Sequence, residues 1–351
     1  MKHHAGIPII DLSSWQSLEG SALQKFVHNM GNACHVNGFF YVQGHNLSSE
    51  FIDAYLKQIR LFFTLPESEK QKIDKTNSPH FRGWEKLGSE LTNNILDYRE
   101  QLDLGPERDA NIDPDPYFLA LEGPNQWPSE NLLPEFRKTV EAFYSEMSLL
   151  AQSLLEVMSL SLGLSQNFME DMFGGRPSPY LKVIRYPATD LTRQGVGTHK
   201  DSGYLTLLLQ DEVGGLQAQN VNGEWYDIPP LKDSLIVNVG ELMQLVSHNY
   251  FFAAPHRVRN NPHHERFSSA FFYSPDLRTR LEMLPMPASL IQQAKHSQVH
   301  RNAGMMASKS ELDQGLDGMG SHAIPKVFGE KYWQRWVRSY PEIAEKYYPQ
   351  N

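Results

Sequence analysis

A histidine and an aspartate stand two positions apart in the segment "GVGTHKDSGYLTLLLQ", as His199 and Asp201. About one such pair is expected from composition alone, so the spacing by itself is weak evidence. If residues 197–209 form one strand, both side chains point to the same face, because side chains alternate along a strand. One further histidine would complete the 2-His-1-carboxylate set that holds non-haem Fe(II). The pattern is therefore typical either of part of a metal site or of the polar edge of a buried strand.

Several histidines could supply the third ligand. His256 lies in the strand-like run "FFAAPHRVRN", where it is either a hydrogen-bonded core residue or a ligand. His248 follows another such run and is typical of a turn. His263 and Glu265 repeat the His-x-acid spacing, but their segment "NNPHHERF" is polar and contains proline, which favours a hairpin loop. The residues alone leave a metal site with His256 and a set of ordinary polar residues as open alternatives.

A second pair with the same spacing follows in "ERFSSAFFYSP". Arg266 and Ser268 would share one face of a strand. An arginine inside a β barrel is a buried charge that needs an anionic partner, and a ligand carboxylate would supply one with bidentate geometry. The alternative is that Arg266 lies at the exposed start of its strand.

The elements that would position these residues follow from the hydrophobic pattern. Short apolar runs alternate with turn residues over 179–283 and predict an antiparallel sandwich or barrel. Residues 105–131 contain several prolines and glycines and are typical of a connection outside the core, whereas 296–322 lack any period and predict a loop. Two earlier strands are predicted at 7–13 and 37–45, and helices are predicted at 21–36, 49–63, 133–164 and 325–348.

The bulk composition excludes some classes of function. The 351 residues are 40% hydrophobic and 21% charged, which is typical of a globular protein, and the formal net charge is −9. An acidic chain without a long basic run argues against nucleic acid or an anionic membrane as the main partner. Cys34 is the only cysteine, which excludes intrachain disulfides and cysteine-rich zinc sites. The N-terminus lacks the apolar core of a signal peptide, so a cytoplasmic location is expected.

Taken together, the motifs resemble the iron(II)- and 2-oxoglutarate-dependent oxygenases of the isopenicillin N synthase-like group. The resemblance covers nearly the whole chain and depends on the order and spacing of the motifs. In that order they are "IPIIDLS", "NGFFYVQGH", "RGWEKLGSE", "RYP", "HKDSGYLTLLLQDEVGGLQ", "GEWYDIPP", "LIVNVGELMQ", "HRV" and "RFS".

The resemblance implies a mainly β fold with flanking helices, built around a double-stranded β-helix, or jelly roll. It implies four regions of the chain. They are an N-terminal α/β region at 1–115, a linker and long helix at 116–178, the jelly-roll core at 179–283, and a C-terminal loop and helices at 284–351.

The resemblance also implies roles for individual residues. His199, Asp201 and His256 match the family's iron ligands. Other matches concern the cosubstrate: Arg266 and Ser268 match the pair that holds the distal carboxylate of 2-oxoglutarate, and Tyr186 matches a tyrosine near it. Ile184 departs from the asparagine that plant relatives carry two positions before that tyrosine. Candidate substrate-pocket residues are Phe272 and Tyr204.

The implied cofactors are Fe(II), 2-oxoglutarate and O2, and the implied reaction oxidises a C–H bond of a small molecule, by default through hydroxylation, with release of succinate and CO2. Two alternatives are an oxidase of the isopenicillin N synthase type that does not use 2-oxoglutarate, and an ethylene-forming breakdown of 2-oxoglutarate. A binding protein with an inactive metal site is a third. The primary substrate and the choice between monomer and homodimer stay open.

Overall fold

A computed structural model of the protein describes residues 1–92, 95–111, 113–190, 193–297 and 326–349. Its strands are β1 (Lys2–His4), β2 (Ile7–Asp11), β3 (Phe39–Gln43), β4 (Gly83–Glu85), β5 (Leu91–Thr92), β6 (Ile95–Leu96), β7 (Glu100–Leu104), β8 (Tyr180–Tyr186), β9 (Gln194–His199), β10 (Leu205–Gln210), β11 (Leu216–Gln219), β12 (Trp225–Asp227), β13 (Leu235–Val239), β14 (His256–Arg259) and β15 (Arg266–Tyr273). Its helices are α1 (Gly20–Asn32), α2 (Ser49–Phe63), α3 (Glu67–Lys70), α4 (Phe136–Ser161), α5 (Phe168–Phe173), α6 (Glu241–Val246), α7 (Ala288–His296), α8 (Phe328–Ser339) and α9 (Pro341–Tyr347).

Two sheets form the centre of the protein. The larger sheet has nine strands in the order β1-β2-β3-β13-β10-β15-β8-β7-β4, and the smaller has four in the order β12-β11-β14-β9. Their facing sides share one apolar cluster, to which β8 contributes Ile184, β13 contributes Ile236 and β14 contributes Val258. Because apolar side chains from both sheets meet there, the sheets pack face to face and enclose an interior. The architecture is mainly β with flanking helices, as predicted.

The helices cover the opposite face of the larger sheet. A second and larger apolar cluster lies there and includes most of the buried face of α4. Tyr55 of α2 stacks on Phe143 of α4 with 3.8 Å between ring centroids, and its hydroxyl donates to Ser269 of β15 at 2.8 Å. The helices cover the outer face of the larger sheet, so ligands can reach this sheet only from its interior side.

Alternate residues of β15 therefore divide between two environments. Phe267 packs against Phe63 of α2, with 6.1 Å between ring centroids, on the outer face. Arg266, one position earlier, lies opposite Tyr186 in the register of β15 and β8, and Tyr186 belongs to the cluster between the sheets. The strand alternation thus sends Arg266 inward, together with Ser268, whose shared face the spacing predicted.

Two features differ from the sequence-based expectations. Residues 197–209 form two strands, because β9 ends at His199 and β10 begins only at Leu205. The connection at 105–131 contains a 3-10 helix, Tyr117–Leu121, whose Phe118 and Leu121 are buried in the larger cluster. The prediction that this segment lies outside the core is therefore wrong, since four consecutive apolar residues outweigh the flanking prolines.

The other elements follow the predictions closely, and α2 spans the predicted 49–63. Strands β2 and β3 join the nine-stranded sheet through β13, so the N-terminal region is part of the same sheet as the core strands.

The division into four regions stays a prediction. The loop predicted at 296–322 lies almost entirely outside the described residues. Within the described residues, no helix has the length and apolar character that crossing a membrane requires.

Gly38 provides a test of how β3 is positioned. It adopts φ +67° between the end of the first helical region and β3, and a Cβ there would lie 2.1 Å from the carbonyl oxygen of Phe252. Gly223 has a similar φ of +83° but no atom within 4 Å of such a Cβ, so it is a matched control. We expect Gly223→Ala to destabilise by about 1–2 kcal/mol from backbone strain alone. Gly38→Ala should cost more than about 3 kcal/mol, measured by urea unfolding. Equal losses would contradict this packing.

Candidate metal centre

The smaller sheet brings the two candidate histidines together. His199 is the last residue of β9 and His256 is the first residue of β14. These strands are antiparallel neighbours, and His256 lies directly opposite His199 in their register. Side chains of a cross-strand pair lie on the same face, about 5 Å apart at Cβ. The ring centroids are 4.2 Å apart, so the pairing places both imidazoles side by side.

Asp201 completes the group from the loop after β9. Its Oδ1 lies 3.7 Å from Nε2 of His199 and 3.6 Å from Nε2 of His256. One donor atom from each of the three residues lies within 4.8 Å of the others, a spacing that a single metal ion can bridge. Because β9 ends at His199, the loop rather than strand alternation turns Asp201 toward the histidines. The structure brings the three predicted residues together, but through the loop and not through the strand alternation that was expected.

Hydrogen bonds fix which atoms of the histidines face the centre. Nδ1 of His199 lies 2.9 Å from the carbonyl oxygen of Gly197, and Nδ1 of His256 lies 3.1 Å from that of Ala254. A backbone carbonyl accepts only from a protonated nitrogen, so each Nδ1 carries the proton. Each Nε2 is then left with a lone pair directed at the centre, which is the tautomer that a metal ligand requires.

The carboxylate of Asp201 is held in the same way. Its Oδ2 accepts from the hydroxyl of Thr206 at 2.6 Å and from the side-chain amide of Asn238 at 2.6 Å. Thr206 on β10 pairs with Asn238 on β13, so both donors come from adjacent strands of the larger sheet. They occupy Oδ2 and leave Oδ1 toward the imidazoles. Sequence patterns did not indicate Thr206 or Asn238, because only this strand pairing brings them to Asp201.

The electrostatics of His199 and Asp201 agree with metal ligation, whereas the raised pKa of His256 favours a proton that metal binding would release. Burial and the neighbouring His256 lower the pKa of His199 to about 3, with Asp201 opposing the shift. Burial by itself would raise the pKa of Asp201, but the two imidazoles and Asn238 hold it well below its usual range. Burial would lower the pKa of His256, but the adjacent Asp201 outweighs it and raises that pKa. An ionised carboxylate beside a neutral imidazole is the form in which these groups bind a divalent cation.

Arg266 forms a second polar feature on the interior face. It is only 1% exposed, which excludes the alternative of an exposed strand start. Its guanidinium donates to Oγ of Ser268 at 3.0 Å and to Oε1 of Gln210 at 3.1 Å, and it stacks over the ring of Tyr186 at 4.9 Å. Among the described residues, its Nε has no hydrogen-bond partner and no carboxylate lies within 4.0 Å of it. A buried cation without a counter-ion is suited to an anionic ligand.

The remaining candidates lie elsewhere. Nε2 of His248 lies 3.0 Å from the carbonyl of Leu284. His248 has a positive φ, which agrees with the turn that was predicted there. His263 is exposed, and Glu265 forms an ion pair with Arg185, so neither joins the centre.

The two candidate pocket residues differ in their surroundings. Phe272 lies opposite Thr206 in the register of β15 and β10 and is half-buried. Tyr204 is 1% exposed and packs edge-on against Phe173 in the larger cluster. Phe272 is therefore a sheet neighbour of Thr206, which holds Asp201, although its side chain also packs against the larger cluster.

The donor set fits non-haem iron. Two imidazole nitrogens and one carboxylate oxygen make a facial 2-His-1-carboxylate set, and three ligands leave open positions on an octahedral ion. The guanidinium of Arg266, which has no ion pair among the described residues, is suited to a carboxylate of a ligand.

Comparison with known proteins agrees with this site. The chain matches the family model of the non-haem dioxygenase N-terminal region described for morphine synthesis over residues 7–130, and that of the 2OG-Fe(II) oxygenase superfamily over residues 178–275. The chain is 34% identical to a 2-oxoglutarate-Fe(II) type oxidoreductase of Emericella nidulans over 281 residues, which are 76% of this chain and 79% of that protein. The chain belongs to the 2OG-Fe(II) oxygenase superfamily.

Further similar proteins match more of the chain. A 2-oxoglutarate-dependent dioxygenase of Dothideomycetidae sp. is 30% identical over 98% of this chain and 93% of its own length. The crystal structure of a full-length Neurospora crassa protein, in complex with alpha-KG and thymine, has a TM-score of 0.70 at 25% identity, covering 85% of this chain and 97% of that chain. The predicted jelly-roll fold and the resemblance to the isopenicillin N synthase-like group are confirmed.

The protein is therefore a non-haem Fe(II)- and 2-oxoglutarate-dependent oxygenase that uses O2. These matches support the 2-oxoglutarate-dependent reaction over an oxidase that does not use this cosubstrate.

The contact between Thr206 and Asp201 can be tested by metal binding. Thr206→Val keeps the side-chain shape but removes one donor from Oδ2 of Asp201. We expect the affinity for Fe(II) to fall about tenfold, because partners that orient a ligand are worth about 10–100-fold in metal affinity. The measurement is anaerobic titration against a competing chelator. Thr64→Val is the control, since the Thr64 hydroxyl donates to the carbonyl of Leu61 at the end of α2. Equal affinities in both variants would contradict an orienting role.

Proposed function

We propose that His199, Asp201 and His256 are the iron ligands of this oxygenase, and that Arg266, Ser268 and Tyr186 form the site for the distal carboxylate of 2-oxoglutarate. The substrate is a small molecule, and the reaction is hydroxylation of one of its C–H bonds. The bound iron and cosubstrate supply oxidative decarboxylation of 2-oxoglutarate to succinate and CO2, coupled to oxidation of the substrate by O2.

One observation carries the assignment of the ligands. The Nε2 atoms of both histidines and Oδ1 of Asp201 converge within 4.8 Å, while every other polar atom of these side chains is held by a named partner. A hydrogen-bonded core histidine would direct its second nitrogen at an acceptor of its own. Here both free nitrogens face the same carboxylate oxygen, as ligands of one ion do.

The assignment of the cosubstrate site depends on a charge without a partner. Arg266 is buried beside Ser268 and Tyr186, and Gln210 occupies one of its nitrogens. The Ser268 hydroxyl can donate to the same carboxylate oxygen that accepts from the guanidinium. Ile184 lies opposite Ser268 where plant relatives carry asparagine, so this chain binds the cosubstrate without a hydrogen bond from that position.

The other residues of the site orient the carboxylate of Asp201 and exclude water from the interior. Thr206 and Asn238 fix the carboxylate of Asp201, so the ligand set is organised before metal binds. Apolar side chains of both sheets line the interior and keep water from the reacting groups. Phe272 is half-buried and lies opposite Thr206, which supports it as a wall of the substrate pocket. Tyr204 is the weaker candidate because its ring packs among buried aromatic residues.

The substrate itself is proposed only as a small molecule. The Neurospora crassa structure that resembles this chain contains thymine, which supports a substrate of that size in an enclosed interior. Neither nucleic acid nor a membrane is proposed as a partner, in agreement with the acidic net charge of −9. The cytoplasmic location also stays a proposal.

The iron assignment predicts the loss of turnover in Asp201→Ala. Anaerobically reconstituted wild-type protein with 2-oxoglutarate and O2 should form succinate slowly even before a substrate is found. Removal of the carboxylate leaves two neutral ligands, so succinate formation should fall to the level without protein. Succinate, ethylene and O2 uptake are measured together, so that ethylene formation would also be detected.

Asp53→Ala is the matched control, because it removes an exposed aspartate from α2. This control should turn over like the wild type. Folding of both variants is checked by circular dichroism. Turnover at the wild-type rate in folded Asp201→Ala would refute the proposed ligand set.

The cosubstrate assignment predicts a different change in Arg266→Met. Loss of a buried charged donor to a carboxylate costs about 2 kcal/mol or more, so KM for 2-oxoglutarate should rise at least about thirtyfold. The rate at saturating cosubstrate should change far less, because the residue is not one of the iron ligands. Arg259→Met on the exposed side of β14 is the control and should keep the wild-type KM. An unchanged KM in Arg266→Met would favour binding of 2-oxoglutarate elsewhere.

A further inference from the structure

Strand β9 lies at the edge of the four-stranded sheet, with β14 as its neighbour in that sheet. An edge strand exposes backbone N–H and C=O groups along its free side, and buried ones need partners. The segment just before β7 supplies them here. The N–H of Tyr98 donates to the carbonyl of Gln194 at 2.9 Å, and the N–H of Gly197 donates to Oδ1 of Asp97 at 3.1 Å. The Asp97 side chain thus takes the place of a neighbouring strand.

Both carboxylate oxygens of Asp97 are engaged. Oδ1 also accepts from the Gln194 side-chain amide at 3.1 Å, while Oδ2 accepts from the Thr92 hydroxyl at 2.8 Å and lies 3.2 Å from a guanidinium nitrogen of Arg99. The residue is completely buried. Four donors around one buried carboxylate leave it a single orientation, so Asp97 is a rigid support for β9.

Gly197 allows this close approach. A Cβ at this position would lie 2.8 Å from the Thr92 side chain and 2.9 Å from that of Gln194. Any larger residue would therefore push aside the side chains of Thr92 and Gln194, which both donate hydrogen bonds to Asp97. The glycine is required by the contact and not by a special φ value.

The backbone of Gly197 is also connected to the metal centre. The carbonyl of Gly197 accepts from Nδ1 of His199 at 2.9 Å, and this hydrogen bond sets the direction in which Nε2 points. The N–H of Gly197 is fixed by Asp97, which lies 100 positions earlier in the chain. We infer that Asp97 is a positioning residue for the iron ligand His199 and acts through the Gly197 backbone.

This inference rests on the proposed function, because it takes His199 to be an iron ligand. It assigns a task in the metal centre to a residue that is neither a proposed metal ligand nor part of the proposed cosubstrate site. Loss of Asp97 should let the end of β9 move and the imidazole turn, so that a bound metal experiences a different geometry.

The experiment uses Co(II) as a spectroscopic probe in the full-length protein. We expect Asp97→Leu, which removes the acceptor but nearly keeps the volume, to weaken Co(II) binding at least about tenfold and to change the visible absorption of the bound ion. Asp97→Asn keeps an oxygen that can accept from Gly197 and should recover most of the affinity. If only the negative charge of Asp97 matters, Asp97→Asn should not recover the affinity for Co(II).

Asp103→Leu is the matched control. Asp103 is an equally buried carboxylate, and its ion pairs are with Lys75 and Lys182 rather than with residues of β9. Both leucine variants should lower the melting temperature, but only Asp97→Leu should change Co(II) affinity and absorption. Gly197→Ala is a second variant that keeps Asp97 but displaces Thr92 and Gln194, two of the donors that hold it, and it should reproduce the effect on Co(II).

Two results would overturn the inference. One is wild-type Co(II) affinity and absorption in folded Asp97→Leu or, where that variant does not fold, in Gly197→Ala. The other is an equal loss of affinity in Asp103→Leu, which would indicate a general effect of instability. Failure of the proposed function is distinguishable, since the wild type would then bind Co(II) no better than His199→Ala.

Discussion

The antiparallel pairing of β9 with β14 is the interaction on which the proposed metal centre depends. It sets His199 opposite His256 at the ends of two strands, and the loop that follows β9 brings Asp201 to both. His199 and His256 belong to paired strands, so only the position of Asp201 depends on the path of a loop. A shift of one residue in this register would turn one imidazole to the other face of the sheet.

The support for this pairing comes from both sheets. Thr206 and Asn238 belong to the larger sheet and hold the carboxylate of Asp201, whereas the smaller sheet carries the histidines. The face-to-face packing of the two sheets is therefore a condition for the metal site as well as for the core. The same packing buries Arg266 and leaves its charge without an ion-paired carboxylate among the described residues, which is why we propose it as the anchor of an anionic cosubstrate.

Much of the site could be predicted from local patterns. The spacing of Arg266 and Ser268 predicted a shared face, and their strand has that alternation. The turn interpretation of His248 and the loop interpretation of His263 also agree with the structure. The break between β9 and β10 was missed, because the apolar run after Asp201 has the composition of one continuous strand. The buried helix at Tyr117–Leu121 was missed because prolines surround it.

The sequence by itself determined the order of the functional residues and the shared face of Arg266 and Ser268, since motif spacing and strand alternation are local properties. The family resemblance carried by the order and spacing of the motifs implied the fold and the chemistry. Only the tertiary structure decided how the ligands are held. Thr206 and Asn238 meet Asp201 through strand pairing, and Asp97 meets Gly197 across 100 positions of chain. Such contacts depend on which strands become neighbours and on the satisfaction of buried polar groups, and neither is written in any short stretch of residues.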